Sequence, residues 1–135
     1  MKKILIVMVM LGFLASASYA QKLNASKVPA AVKTAFAKAH ASTKVNWSKE
    51  EVNYEAEFTL NGKETSEVYT AAGVLTETEV EIKVSEFPDA VKMKLKGMKV
   101  TEAAKITKAD GSIVYEAEVK GKDLLFDAKG NSVKK

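Results

Sequence analysis

Three blocks of residues occur twice, in the same order and at nearly constant spacing, and this constrains the fold more than any other feature. Val28-Pro29-Ala30-Ala31-Val32-Lys33 returns as Phe87-Pro88-Asp89-Ala90-Val91-Lys92 at an offset of 59. Tyr54-Glu55-Ala56-Glu57-Phe58 returns as Tyr115-Glu116-Ala117-Glu118-Val119 at 61, and Asn61-Gly62-Lys63 as Lys120-Gly121-Lys122 at 59. Val68-Tyr69-Thr70-Ala71-Ala72-Gly73 returns as Leu125-Phe126-Asp127-Ala128-Lys129-Gly130 at 57. The offsets drift only between blocks, where loops absorb insertions.

Each copy opens with a helix. Proline suits the first helical position and holds the residue before it extended. Val32, Phe36 and Ala39 in one copy, and Val91, Leu95 and Met98 in the other, follow helical spacing and predict an inward stripe. The helices are expected to end near Ala41 and Gly97. The period then changes to two. Val52, Tyr54, Ala56, Phe58 and Leu60 alternate with Asn53, Glu55, Glu57 and Thr59, and Ile113, Tyr115, Ala117 and Val119 with Val114, Glu116, Glu118 and Lys120. Glycine turns at Gly62 and Gly121 lead into third strands ending at Tyr69 and Phe126. A fourth strand, Val74 to Ile82, carries Glu77, Glu79 and Glu81 on one face, and its counterpart at the end of the chain is a stub. Leading strands are expected around Val45 to Lys49 and Val100 to Thr107.

The fold class is therefore α+β: two tandem α-β-β-β(-β) repeats, each with one helix on one face of an antiparallel sheet. The repeats span residues 21–83 and 84–135. The short link Lys83-Val84-Ser85-Glu86 favours one shared or closely abutting sheet.

Residues 1–20 stand outside this pattern. Lys2 and Lys3, the apolar run Ile4 to Leu14, and the small-x-small site Ser18-Tyr19-Ala20 predict a secretory signal peptide cleaved between Ala20 and Gln21. The apolar run falls short of the roughly 20 residues a spanning helix needs, so no membrane insertion is expected after cleavage. No cysteine is present for a lipoprotein anchor or for disulfides, and stability must come from packing. The expected location is periplasmic or secreted. Without Lys2 and Lys3 the formal charge falls from +4 to +2, and the chain has no arginine. Arginine is the residue suited to phosphate and base-edge contacts, so nucleic acid is not an expected partner.

The helix openings, the tryptophan strand Asn46-Trp47-Ser48, Tyr54-Glu55-Ala56-Glu57-Phe58, Asn61-Gly62-Lys63 and the aromatic-then-glycine turn together resemble the PepSY-like, beta-lactamase-inhibitor-like (BLIP-like) periplasmic proteins of Bacteroidetes. That resemblance covers nearly the whole chain after residue 20. It implies tandem α-β repeats with one sheet face left open, and a non-enzymatic binding or inhibitory module.

No motif for catalysis, metal or cofactor accompanies these repeats. Glu55 with Glu57, and Glu116 with Glu118, project from one strand face about 6.5–7 Å apart along the chain. That separation is within range of a two-carboxylate mechanism, but an open face supplies neither the burial nor the water exclusion that such chemistry needs. The plainer expectation is a solvent-facing row paired with lysines of neighbouring strands. Glu77, Glu79 and Glu81 extend the row without the convergence that calcium requires. His40 is the single histidine, expected to be exposed at a helix end without a partner for a transition metal. Trp47 either packs under its helix or, pointing outward, is a contact residue. The candidate binding surface is thus Glu55, Glu57, Glu77, Glu79, Glu116, Glu118 and Trp47, facing a periplasmic or secreted protein. The alternative is a small-ligand or ion-binding protein with a pocket between helix and sheet.

Overall fold

The computed structural model describes residues 21–134. Strand β1 (Gln21–Leu23) is followed by α1 (Ala30–Ala39), then β2 (Asn46–Glu50), β3 (Asn53–Leu60), β4 (Lys63–Tyr69) and β5 (Leu75–Glu81). Helix α2 (Asp89–Lys94) leads into β6 (Val100–Lys108), β7 (Ile113–Val119) and β8 (Lys122–Phe126). All eight strands form one antiparallel sheet in chain order. The α+β class and the shared sheet match expectation. The edge strand β1 was not anticipated: three residues are too few for alternation to register, and only pairing with β2 defines it.

Pairing between β5 and β6 makes the sheet continuous, with Thr78 opposite Thr107 and Val80 opposite Lys105. Alternation then assigns the faces. Leu23, Trp47, Tyr54, Ala56, Phe58 and Tyr69 meet Val28, Val32 and Phe36 in one core. Ala103, Tyr115, Ala117, Val119, Leu124 and Phe126 meet Phe87, Val91 and Leu95 in the other. Both helices therefore pack on the same side of the sheet.

The helices are shorter than the sequence suggests. Pro29 and Pro88 have extended ψ near 145° and stand just before the first helical residue rather than in it. The Pro29 carbonyl still accepts from the N–H groups of Val32 and Lys33, and Pro88 serves Val91 and Lys92 likewise. His40 leaves helical geometry at φ −134°, and α2 closes at Leu95. Ala39 consequently lies on the surface, and Met98, beyond the end of α2, is 48% exposed. Neither belongs to the inward stripe.

Asn61-Gly62 and Lys120-Gly121 have positive φ at both positions, as two-residue hairpins of the mirror-image type require. A different constraint fixes Gly73 and Gly130. Each turn tucks under the first turn of the helix of its own half. An added Cβ would stand 2.6 Å from the Ala31 carbonyl oxygen at Gly73, and 2.7 Å from that of Ala90 at Gly130. Bare backbone is needed there for helix to meet turn.

Candidate functional site

Neither helix packs on the second face of the sheet, and the strand register sets out its pattern. One row runs Lys22, Ser48, Glu55, Val68, Glu77, Lys108 from β1 to β6. The next runs Glu57, Ser66, Glu79, Ile106, Val114. A third runs Glu81, Ala104, Glu116, Leu125, and a fourth Glu102, Glu118, Asp123. Read down the strands, β3, β5 and β7 form acidic ridges: Glu55 and Glu57; Glu77, Glu79 and Glu81; Glu116 and Glu118. Between them lie shallow valleys, Ser66 and Val68 on β4 and Ala104 and Ile106 on β6, each closed at one end by a carboxylate, Glu64 on β4 and Glu102 on β6. Ridges recur at every second strand, so about 9.5 Å apart.

The sequence-based face is thus assembled as one surface, but its environment differs from expectation. Glu55 is only 4% exposed and Glu79 6%, and Ser48, Ser66, Val68, Ala104 and Ile106 are buried with them. A side chain in the middle of a wide sheet is shielded by its neighbours on adjoining strands, which period-two alternation cannot convey. The register neighbours of the ridge glutamates are mostly serine, valine, isoleucine, alanine and leucine; lysines stand opposite only at the margin, with Lys108 facing Glu77 and Lys22 near Glu57. Across the strands, the register thus sets these glutamates beside small or apolar residues more often than beside lysines.

Electrostatics follow from that crowding. Burial, then the charges of Glu50 and Glu57, raise the Glu55 carboxyl from its ordinary 4.5 to about 7, against hydrogen bonds from Ser48 and Ser66 that lower it. Burial and Glu64 push Glu57 upward, with Lys22 opposing. Burial and Glu81 raise Glu64, which adjoins the same face. Glu102 is raised by burial and then by Glu118, Asp123, Glu64 and Glu81. A groove of about 270 Å³ opens where β5 and β6 meet, lined by Glu64, Glu79, Glu81, Glu102 and Glu116, by Lys83 and Thr101, and by the apolar Ile82, Val84, Ala103 and Ala104.

Trp47 does not belong to this face. It is 5% exposed and packs edge-on against Phe36, ring centroids 5.4 Å apart, under α1. His40 also departs from expectation, and the reason is tertiary. Its ring is wedged between Phe36 and Phe58, and Nε2 donates to Glu67 Oε1 at 2.9 Å. The other Glu67 oxygen accepts from the Tyr69 hydroxyl. Burial and Glu67 together raise the Tyr69 phenol above its ordinary value. Glu67 went unnoticed in the sequence, although one signal was available: it stands where the second copy has Leu124.

Among the described residues, no group of three or more His, Cys, Asp or Glu side chains could hold a metal ion, and no helix is long and apolar enough to cross a membrane. The signal-peptide segment lies outside the described residues.

The sequence matches no family model, and no curated protein matches it. Solved structures do share its fold. A protein of Bacteroides eggerthii described as a "putative periplasmic" protein aligns at a TM-score of 0.72 with 21% identity, over 79% of this chain and 86% of that one. A DUF2874 family protein of Bacteroides uniformis aligns at 0.71 with 22% identity, over 78% and 86%. A BLIP-like protein of Bacteroides fragilis aligns at 0.64 with 20% identity, over 78% and 84%. These similarities are to BLIP-like and DUF2874 proteins of Bacteroides, in agreement with the BLIP-like part of the sequence resemblance.

Proposed function

We propose that this chain is a non-enzymatic periplasmic or secreted binding protein that engages another protein through the ridge-and-valley face of its sheet. The observation that carries the reading is the division of labour between the two faces. One side of the sheet is consumed by helix packing, while the other presents a patterned surface continuous across both halves. In this reading residues 21–83 and 84–135 are two copies of one α-β unit, released by removal of residues 1–20. Their fusion through the β5–β6 pairing doubles the width of the docking face. The fold shared with a BLIP-like protein and with a protein described as periplasmic supports both the inhibitor-like mode and the compartment.

Catalysis is a poorer fit to the same residues. A carboxyl held near neutrality is often a functional group, yet burial and like charges on one flat face account for Glu55 without a reacting partner. General acid-base work needs an acid and a base disposed about a substrate. The ridges instead place carboxylates side by side.

The test is site-directed photocrosslinking in a cell-envelope extract. A photoreactive residue in place of Glu57 or Glu118 is expected to give the same discrete adduct, and one in place of Lys33 on α1 none. Adducts from Lys33 alone would overturn the face assignment.

A further inference from the structure

We propose that the occupant of this face is a lysine- or arginine-rich polypeptide segment, its aliphatic stems lying in the valleys over Val68, Ala104 and Ile106 and its charged heads meeting the glutamate ridges. The inference rests on the docking reading above and names the chemistry of the partner. Two properties of the face must be satisfied together. The ridges are acidic, while the strands between them carry small or apolar residues at Ser66, Val68, Ala104 and Ile106 before ending at the carboxylates Glu64 and Glu102. Lysine and arginine are the side chains that join a long apolar stem to a cationic head. An anionic partner would be repelled, and an apolar one would strip water from carboxylates with nothing in exchange.

Charge is distributed to match. The molecule has more lysines than acids, yet Lys22 and Lys108 sit at the edge of this face while Lys33, Lys38, Lys92 and Lys94 belong to the helices on the other side. The face is therefore locally negative on a chain that is positive overall, which steers a basic segment to it. The groove between β5 and β6 supplies an anchor. At about 270 Å³ it lies below the roughly 300–1,000 Å³ of pockets for drug-sized ligands. Its mixed walls suit a single long side chain. The raised carboxyls of Glu55, Glu57, Glu64 and Glu102 add a consequence. A bound cation favours their ionised forms, so binding releases protons and tightens as pH rises.

The experiment is titration of the purified protein into fluorescently labelled deca-lysine at low salt, followed by anisotropy. Saturable binding is expected, at least threefold tighter at pH 8 than at pH 6, with no binding of deca-glutamate. The ridge variant Glu77→Gln/Glu81→Gln/Glu118→Gln is expected to weaken it at least tenfold. The control Asp89→Asn/Asp110→Asn/Asp127→Asn makes the same change in net charge elsewhere and is expected to weaken it less than twofold. Val68→Thr, which keeps the side-chain shape, is expected to weaken it about threefold; no change would remove the valleys from the proposal. Equal losses in the two triple variants would overturn it, since net charge alone would then explain binding. Absence of deca-lysine binding while crosslinks from Glu57 and Glu118 persist would sink the cationic partner and leave the docking reading standing. Low-salt self-association abolished by Lys92→Gln/Lys94→Gln would instead make the occupant a second copy of this chain.

Discussion

The two halves of the molecule build two different cores on one sheet. Trp47 of the first half corresponds in register to Ala103 of the second, Phe58 to Val119, Tyr69 to Phe126 and Glu67 to Leu124. The first core is aromatic and contains the His40–Glu67–Tyr69 chain, whereas the second is aliphatic apart from Phe87, Tyr115 and Phe126. The helices differ in length as well, ten residues in α1 against six in α2. On the helix-free face Glu55 and Glu57 correspond to Glu116 and Glu118, while Ser48, Ser66 and Val68 correspond to Ala104, Asp123 and Leu125, so what the halves share there is the glutamate pair of β3 and β7.

The largest expected difference lies in the cores. Phe36 touches His40, Trp47 and Phe58, and Phe36→Ala is expected to cost about 3–5 kcal/mol. Leu95→Ala, at the matching position of α2, is expected to cost about 2–4 kcal/mol. Urea denaturation followed by tryptophan fluorescence and by circular dichroism checks both. Because the sheet is continuous, the two probes should give coincident transitions in each variant; separated transitions would show that the halves unfold independently.

The buried polar chain gives a sharper comparison. Glu67→Leu installs the residue of the second half but leaves His40 and Tyr69 without their acceptor, at an expected cost of about 2–3 kcal/mol. Adding Tyr69→Phe and His40→Leu should recover much of that loss, since removing every partner avoids stranded polar groups. A triple variant worse than the single would mean that the chain is a source of stability rather than a tolerated feature.

The smallest effect concerns the ridge. The Glu55 carboxyl lies near 7 in the folded protein and near 4.5 otherwise, so the native state binds the extra proton between those values. Stability contributed by the protonated form is complete below about pH 4.5 and is lost as pH rises toward 7. Glu55→Gln should accordingly leave stability unchanged at pH 4 and raise it at pH 8 by on the order of 2 kcal/mol. A gain at pH 4, or a loss at pH 8, would contradict the origin of the shift.

Sequence by itself determined the two helices, all strands but β1, and which face each strand residue takes. Period-two alternation put Tyr54 with Ala56 and Glu55 with Glu57, and prolines and glycines placed the helix starts and turns. These signals are local, resting on side-chain direction and allowed backbone angles, so adjacent residues suffice to show them. Tertiary structure decided what depends on distant neighbours. Glu55 became buried because β2 and β4 flank it, His40 was drawn against Phe36 and Phe58 and bonded to Glu67, 27 positions away on β4, and Gly73 was fixed by the carbonyl of Ala31. Pairing of β5 with β6 turned two modest acidic strands into one broad face. Solvent exposure, carboxyl acidity and surface continuity are sums over neighbours brought together by folding, and no window of contiguous residues contains those sums.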